Sequence, residues 1–460
     1  MKVFLSGIAG TGMSALAGLF SRRGDEVYGS DVHFYPPVDG ILEGMNARIF
    51  QGYDARNIPA DIDCCVVGNV ISRGNPEAEF ILNKGLAYYS MPEALYRFFV
   101  KGRKSVVVAG THGKTTIASF VAHLLTCAGL SPGFFIGGKP LNFDVNYAIG
   151  QGDYFVIEGD EYETSFFDRS SKFLKYHPYY LILTACEYDH LDFFPLESLY
   201  IKSFTNLVNQ VPSDGLIVSS GDFPMNRQVV TKSFTPLVAY GSGDCDVHIK
   251  NIKFRQGFYH FTIENNSLNL QCRTPLLGRY NIWNLTAGIV LGIHLGIADP
   301  VIQEAVATFK GVERRLNPIN RIQNTLILED FAHHPTSIRG ILESVREIFP
   351  DRKIISLFEP RSWSLRRNFF QDRLSKSFSP SHEVVMKDVF EKEKIPENER
   401  LDLSRVKDEL LESGIGGLIF DDYNKIKEYL LSLDFNTPTV ILVISNGSFG
   451  DIPEFLRNLR

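Results

Sequence analysis

The chain has 460 residues and a formal net charge of −6, and 44% of its residues are hydrophobic. This length exceeds what one hydrophobic core supports, so two or three domains are expected. The acidic balance argues against a surface for nucleic acid or anionic membranes. No apolar run reaches the roughly 18 residues of a membrane span, and the start before Gly7 is too short for a signal-peptide core. Six cysteines without C-x-x-C spacing indicate a reducing cytoplasm rather than disulfides or zinc.

The first block, 1–100, opens with a predicted strand at 3–6, a glycine-rich turn, a helix at 13–23 and a strand at 26–29. The turn supplies Gly10 and Gly12 for a pyrophosphate, and Asp31 after the second strand suits a ribose hydroxyl. Because the spacing is G-x-x-G-x-G rather than G-x-G-x-x-G, a plain strand–helix turn remains the alternative.

The second block, 101–310, contains the most informative segment. An apolar β-branched run ends abruptly in a glycine-rich turn that leads into an apolar helix at 117–125. Backbone N–H groups, a helix N-terminus and an ammonium would converge there on a nucleotide polyphosphate. The predicted ATP-binding residues of this loop are Gly110, Thr111, His112, Gly113, Lys114, Thr115 and Thr116. The alternative is a Gly-Lys-Thr sequence that merely caps a helix.

Acidic and imidazole groups follow two further predicted strands of this block, at 154–157 and 180–184. The carboxyl ends of parallel strands share one crevice, so Glu158 and His190 are expected near the Thr115 hydroxyl. These three residues are the predicted ligands of Mg²⁺, although that ion prefers oxygen and His190 is the weakest member. A solvated acidic loop and a capping histidine are the alternatives.

The third block, 311–460, again alternates strands and helices, which predicts an α/β fold with parallel sheets. A strand at 325–329 precedes Asp330 and the pair His333-His334, and a strand at 353–357 precedes Arg361. Forked arginine donors and imidazoles suit phosphates or carboxylates, but each alone is more typical of a surface or packing residue.

Taken together, these motifs resemble the Mur ligase family of ATP-dependent amide-forming enzymes. The resemblance covers nearly the whole chain in order. The matching segments are 7–14, 110–116, 158–161, 189–190, 278–284 and 330–335. Two departures are Gly159, where the family usually has alanine, and Tyr280, where it usually has histidine.

The resemblance implies three domains. They are a Rossmann-like UDP-sugar-binding domain at 1–100, a central P-loop ATPase-like domain at 101–310, and a Rossmann-like domain for the amino substrate at 311–460. The central domain is expected to hold a mainly parallel sheet and a small β-layer near 247–272. A carbamylated lysine, found in other branches, is not expected because Phe204 and Thr205 occupy the corresponding positions.

Further segments, at 35–37, 51–55, 166–173, 359–362 and 445–450, resemble the branch that uses a murein tripeptide. The implied reaction joins UDP-N-acetylmuramate to L-alanyl-γ-D-glutamyl-meso-diaminopimelate through an acyl phosphate, releasing ADP and phosphate. The alternative is the branch that adds L-alanine, which usually carries Q-P-H-R where this chain has Glu359-Pro360-Arg361-Ser362.

The resemblance also implies roles for individual residues. Lys114, Glu158 and His190 are the expected catalytic residues, with ATP and Mg²⁺ as cofactors. Further ATP contacts are expected at Asn281, Asn284, Arg314, Arg315 and Asp330. UDP-sugar contacts are expected at Gly10, Gly12, Asp31, Asn69 and Arg73, and peptide contacts at His334 and Arg361.

Two rival functions come from other classes. The first glycine turn is compatible with a nicotinamide-dependent oxidoreductase, although such an enzyme has no use for Lys114, Thr115 and Glu158. A non-catalytic nucleotide sensor would keep the same fold. The expected partners are the small-molecule substrates, not nucleic acid or membranes, and the sequence leaves open whether the chain is a monomer or a weak dimer.

Overall fold

The computed structural model describes residues 1–34, 40, 42, 44–190, 193–231 and 233–460. Segment 35–37, which contributes to the family resemblance, lies outside the described residues. The described chain forms three α/β units in sequence order, each built on its own main sheet. This agrees with the predicted α/β architecture of three domains. Within the described residues, none of the helices has the length and apolarity needed to cross a bilayer.

The first unit is a parallel five-stranded sheet in the order β3-β2-β1-β4-β5. Its strands are β1 (Lys2–Ser6), β2 (Glu26–Asp31), β3 (Ala47–Gln51), β4 (Cys64–Val67) and β5 (Tyr88–Ser90). Its helices include α1 (Thr11–Arg23), α2 (Pro76–Lys84) and α3 (Met91–Leu95), which continues into a π-helical turn, Tyr96–Val100. Helix α1 ends where Gly24 adopts a φ of 92°, which lets its N–H bond back to the carbonyls of Phe20 and Ser21.

The central unit is a ten-stranded sheet in the order β17-β16-β15-β14-β13-β12-β6-β9-β7-β8. Its first six strands are β6 (Lys104–Ala109), β7 (Gly133–Phe135), β8 (Tyr147–Ala148), β9 (Tyr154–Gly159), β10 (Glu163–Ser165) and β11 (Asp168–Ser171), of which the last two form a separate hairpin. They are followed by β12 (Tyr180–Leu183), β13 (Leu216–Ser220), β14 (Leu237–Gly241), β15 (Val247–Arg255), β16 (Phe258–Glu264) and β17 (Asn269–Thr274). The small β-layer expected near 247–272 corresponds to β15, β16 and β17, which pair antiparallel with one another. It forms the end of the main sheet, because β15 also pairs in parallel with β14.

Helices cover both faces of the central sheet. They are α4 (Lys114–Cys127), α5 (Glu197–Val208), α6 (Pro224–Val230), α7 (Tyr280–His294) and α8 (Asp299–Thr308). The phosphate-loop strand β6 is wholly buried after its first residue and lies between β9 and β12. A strand buried on both faces needs a continuous apolar run, which the sequence Val106-Val107-Val108 supplies. The loops that follow β6, β9 and β12 therefore open at one edge of the sheet.

The third unit is a six-stranded sheet in the order β18-β19-β23-β20-β21-β22, parallel except for β18. Its strands are β18 (Asn317–Ile322), β19 (Thr325–Asp330), β20 (Lys353–Phe358), β21 (Glu383–Lys387), β22 (Gly416–Phe420) and β23 (Thr439–Ile444). Its helices are α9 (Pro335–Ile348), α10 (Gln371–Ser377), α11 (Leu403–Glu412), α12 (Tyr423–Leu431) and α13 (Ile452–Asn458). Separate apolar clusters fill the two faces of this sheet.

The first two units share one apolar core, which runs from β1 and α1 to one face of the central sheet. Tyr147 of β8 lies against Gly18 of α1, where a Cβ atom would overlap the phenol ring. The ring also lies under the guanidinium of Arg22, at 4.8 Å from its centroid. Glycine inside α1 is thus required by the close approach of a neighbouring domain.

Candidate functional site

The phosphate loop connects β6 to the first turn of α4. Gly110 and Gly113 have φ values of 133° and 81°, in the region that favours glycine. Both positions are also crowded, because a Cβ atom would overlap Thr184 at the first and Asn284 at the second. The loop is anchored by Thr111, whose N–H donates to the Ala185 carbonyl at 2.7 Å and whose hydroxyl donates to the Glu187 carbonyl at 2.7 Å.

The ammonium of Lys114 lies at the centre of the predicted site. Its Nζ donates to Glu161 Oε2 and to the Gly110 carbonyl, both at 2.7 Å. Glu161 is fully buried, and its other oxygen lies 3.1 Å from His190 Nε2. Burial opposes ionisation of Glu161, but Lys114 and His190 hold its pKa at about 2. The same contacts outweigh burial and raise the pKa of both Lys114 and His190.

A second contact joins two of the predicted metal ligands. Thr115 donates its hydroxyl to Glu158 Oε1 at 2.7 Å, and the Gly137 N–H donates to Glu158 Oε2 at 2.7 Å. Burial, with the nearby charge of Asp160, raises the pKa of Glu158. A half-buried carboxylate beside a hydroxyl is an oxygen set of the kind that Mg²⁺ takes. His190 lies beside a different carboxylate, with its Nε2 3.1 Å from Glu161 Oε1.

The predicted adenine and phosphate contacts lie around the loop. Asn284 Nδ2 donates to Asn281 Oδ1 at 2.9 Å, on the first turn of α7 beside Gly113. From the third unit, Arg315 Nη2 lies 3.4 Å from the Thr115 hydroxyl. Arg314 instead pairs with Glu329 at 2.8 Å and donates to carbonyls of the loop after β23. Of the two predicted arginines, the structure brings only Arg315 to the phosphate loop.

Asp330 bonds the backbone next to Arg315. It accepts the N–H groups of Leu316 and Ala332 at 2.8 and 2.7 Å, and burial raises its pKa to about 6. The carboxylate therefore holds the backbone next to Arg315 in place. Its bonds to the chain favour a positioning role over direct contact with nucleotide.

The predicted UDP-sugar residues lie at the carboxyl edge of the first sheet. Gly10 precedes α1, and Gly12 lies in the first turn of that helix. Asp31, at the end of β2, accepts the Ala9 N–H at 2.9 Å and the Tyr53 hydroxyl at 3.1 Å. Asp31 thus stabilises the glycine turn itself. Asn69 and Arg73 are exposed on the loop after β4, where Arg73 pairs with Glu79 at 2.8 Å.

Glu77 is a member of this edge that the sequence reasoning did not identify. Its fully buried carboxylate accepts the hydroxyls of Ser6 and Ser30 at 2.6 and 2.7 Å, the Asp54 N–H at 3.2 Å and the Asn57 amide at 3.0 Å. It joins the ends of β1 and β2 to the loop after β3. An Asn-Pro-Glu sequence is typical of a capped helix start and does not by itself predict a buried carboxylate.

The two predicted peptide residues lie on different loops of the third unit. His334 caps α9, is buried, and has Nδ1 3.8 Å from Glu187 Oε2 of the central unit. Burial and His112 lower the pKa of His334 to about 3, which keeps its ring neutral. Arg361 stacks 4.2 Å from the Phe390 ring and lies 3.7 Å from the buried carboxylate of Glu359.

Glu187 is the second residue that the sequence reasoning missed. It follows β12 and bonds His112 Nε2 at 2.7 Å, while Thr336 Oγ1 donates to its other oxygen at 3.2 Å. Ser337 Oγ lies 3.1 Å from His112 Nδ1. The phosphate loop is thereby tied to the start of α9, which no spacing in the sequence reveals.

Comparison with known proteins agrees with this arrangement. Family models described as the Mur ligase family catalytic domain, the Mur ligase middle domain and the Mur ligase glutamate ligase domain match residues 4–101, 108–292 and 314–447. The UDP-N-acetylmuramate–L-alanyl-γ-D-glutamyl-meso-2,6-diaminoheptandioate ligase of Escherichia coli is 34% identical over 84% of each chain. A UDP-N-acetylmuramate–L-alanine ligase of Desulfosudis oleivorans is 31% identical over 84% of this chain and 83% of its own.

A solved relative covers the whole chain. The crystal structure of a murein peptide ligase from Psychrobacter arcticus has a TM-score of 0.73 and 29% identity, and the match covers 100% of this chain and 99% of that one. Family models along most of the length and a relative above 30% identity lead to one conclusion: this chain belongs to the Mur ligase family.

Proposed function

We propose that this enzyme is an ATP-dependent amide ligase that joins UDP-N-acetylmuramate to L-alanyl-γ-D-glutamyl-meso-diaminopimelate. The products are the UDP-linked tripeptide, ADP and phosphate, as in the recycling of peptidoglycan fragments. One observation carries the proposal: Lys114 bonds the Gly110 carbonyl of the phosphate loop, the adjacent Thr115 bonds Glu158, and Arg315 reaches Thr115 from the third unit.

The chemistry explains why a triphosphate site is needed. A carboxylate resists attack by an amine because oxide would have to leave. Transfer of the γ-phosphoryl group to the muramyl carboxylate gives an acyl phosphate, from which phosphate leaves readily. Such a transfer brings anions together, so catalysis rests on positioning and charge neutralisation. Lys114 would bind the β- and γ-phosphates, and Arg315 the γ-phosphate.

Mg²⁺ is part of the proposal. The oxygen ligands would be Thr115 and Glu158, since their bonded side chains supply the donor type that this ion prefers. His190 would contribute from the Glu161 side of the site. The ion supplies charge neutralisation at the phosphates when bound. Lys114 and His190 both contact Glu161, which positions their side chains relative to each other.

The remaining roles follow the three units, which we assign as 1–100 for the UDP-sugar, 101–310 for ATP and 311–460 for the amino substrate. Gly10, Gly12 and Asp31 would shape the UDP site with Asn69 and Arg73. The asparagines of α7, Asn281 and Asn284, would contact the adenosine. Closure of the three units on two substrates would keep water from the acyl phosphate.

His334 and Arg361 would face the peptide. The segment that carries Arg361 also bears on the choice of amine. Glu359 is buried, accepts the Tyr423 hydroxyl at 2.7 Å and the Ser445 hydroxyl at 2.6 Å, and lies beside Arg361. The branch that adds L-alanine usually has glutamine at this position, so the carboxylate supports the assignment to the tripeptide branch. L-Alanine addition is the alternative activity, supported by relatives such as the Desulfosudis oleivorans ligase.

A competition assay tests the assignment. The protein is incubated with UDP-N-acetylmuramate, ATP and Mg²⁺, and equal amounts of tripeptide and L-alanine are supplied. Mass spectrometry of the products and phosphate release should show preferential tripeptide addition. Preferential addition of L-alanine would assign the enzyme to the other branch, and no ADP release with either amine would overturn ligation altogether.

Partners and location complete the proposal. The small-molecule substrates are the only partners assigned, a monomer or weak dimer is expected, and the enzyme would act in the cytoplasm, where UDP-sugars and ATP are made. Six free cysteines are consistent with that compartment.

A further inference from the structure

A second cluster of side chains that could bind a metal contains none of the proposed Mg²⁺ ligands. His112, Glu187 and His334 each offer a ligand atom, and these atoms all lie within 4.8 Å of one another. Two of the residues come from the central unit and the third from the start of α9. The cluster therefore spans the boundary between two domains.

His334 is the most weakly bonded member of this cluster. Its Nδ1 accepts a bond of 3.3 Å from the Thr336 N–H and lies 3.8 Å from Glu187 Oε2. Within the described residues, His334 Nε2 is buried without a hydrogen-bond partner. A cation bound between His334 Nδ1 and Glu187 would give both atoms a stronger partner than the present 3.8 Å contact.

The donor set selects the class of cation. Two imidazoles and one carboxylate match the borderline ligands that Zn²⁺, Co²⁺ and Ni²⁺ take, and a tetrahedral site with bonds of about 2.1 Å places ligand atoms about 3.4 Å apart. Glu187 Oε2 lies 2.7 Å from His112 Nε2 and 3.8 Å from His334 Nδ1, which are distances on either side of that spacing. The supporting bonds are in place, because Ser337 Oγ contacts His112 Nδ1 and Thr336 Oγ1 contacts Glu187.

We propose that His112, Glu187 and His334 form a transition-metal site of the Zn²⁺ class, separate from the proposed Mg²⁺ ligands, which fastens the C-terminal domain to the phosphate loop. The bound ion draws His112 and His334 into its coordination shell. It holds the two domains together.

Metal binding to the full-length protein tests the proposal without ATP or turnover. Because Cys127 is exposed and its Sγ lies 3.6 Å from His123 Nε2, all proteins carry Cys127→Ser to remove this competing pair. Zn²⁺ affinity is measured by competition with a chelating dye, and Co²⁺ absorption reports the geometry. The variants are Glu187→Gln, His334→Gln and His112→Asn, with Glu158→Gln for the Mg²⁺ site and His260→Gln, an exposed strand residue, as the control.

We expect one Zn²⁺ per chain, a tetrahedral Co²⁺ spectrum and a higher unfolding temperature with Zn²⁺. Glu187→Gln and His334→Gln should weaken binding by about 100-fold or more, while Glu158→Gln and His260→Gln bind normally. Retained affinity in Glu187→Gln, or loss in Glu158→Gln, would overturn the site. Each variant must unfold cooperatively without metal. If Glu187→Gln does not, the Zn²⁺ affinity of His112→Asn is used in its place, and retained affinity in that variant would overturn the site. The result does not depend on whether the ligase reaction is correct.

Discussion

Lys114 and Glu161 form a buried ion pair in which Nζ lies 2.7 Å from Oε2. The other oxygen of the carboxylate lies 3.1 Å from His190 Nε2, so one carboxylate contacts two side chains of the candidate site. Glu161 thus fixes where the ammonium stands before any phosphate is bound. The pair makes Lys114 both a functional and a structural residue, and the two contributions are separable by mutation.

Replacement of Lys114 by methionine should lower ADP release by a factor of about 10² or more, because a preorganised charge on the phosphates is lost. It should also destabilise the fold by about 3–5 kcal/mol, since Glu161 stays buried without its partner. ADP release and chemical denaturation measure the two effects. The double variant with Glu161→Gln should regain stability but not turnover, and recovery of turnover would contradict the phosphate role.

Glu158→Gln should raise the Mg²⁺ concentration needed for half-maximal ligation, because a neutral amide is a weaker ligand than a carboxylate. The titration is done at fixed ATP. Glu163→Gln, a more exposed change on β10 beside Arg169, serves as the control and should leave the requirement unaltered. An unchanged Mg²⁺ requirement in Glu158→Gln would remove this residue from the metal site.

Glu77→Gln should raise the KM for the UDP-sugar more than it lowers kcat. Glu77 accepts four donors, and an amide cannot serve all of them, which predicts a loss of stability of about 1–3 kcal/mol. One of these donors is Ser30, whose carbonyl accepts the Gly7 N–H at 2.9 Å. A shift of Ser30 would therefore displace the glycine turn. Glu26→Gln, at the exposed start of β2, is the control. Equal KM values for Glu77→Gln and the wild type would rule out the positioning role.

The pH dependence of stability should report on His334. Burial lowers the pKa of His334 to about 3, while a histidine in the unfolded chain has its ordinary pKa of about 6.5. The unfolded chain binds the extra proton between these values, so this contribution is fully present above about pH 6.5 and is lost as the pH falls toward about 3. His334→Gln should therefore show a shallower fall of Tm below about pH 6.5. His260→Gln should keep the wild-type dependence of Tm on pH. An identical dependence in both variants would show that His334 does not cause the loss of stability.

Gly18→Ala should lower the unfolding temperature, because the new Cβ meets the Tyr147 phenol ring at the boundary between the first two units. Overpacking of this kind costs about 1–3 kcal/mol. Tyr147→Leu removes the distal part of the ring, so the double variant should be more stable than the sum of the single effects implies. Additive effects would mean that the two residues do not oppose each other.

The sequence predicted the elements around the site closely. The expected helices at 13–23 and 117–125 lie within α1 and α4, and the strands at 154–157 and 180–184 correspond to β9 and β12. These elements are predictable because a buried parallel strand needs an apolar run and a glycine turn must follow it. Arg314 and Arg315 were indistinguishable as adjacent residues, whereas the structure directs one to Glu329 and the other to Thr115.

The sequence by itself determined the α/β class, the phosphate loop and the family, because these depend on local runs and on spacings of a few residues. Only the tertiary structure decided which partners meet. Glu161 with His190, Glu77 with Ser6, and His112 with His334 are brought together by sheet order and domain packing, across 29 to more than 200 residues. Such pairings have no local signature, since a buried charge is stabilised by whatever the fold places beside it.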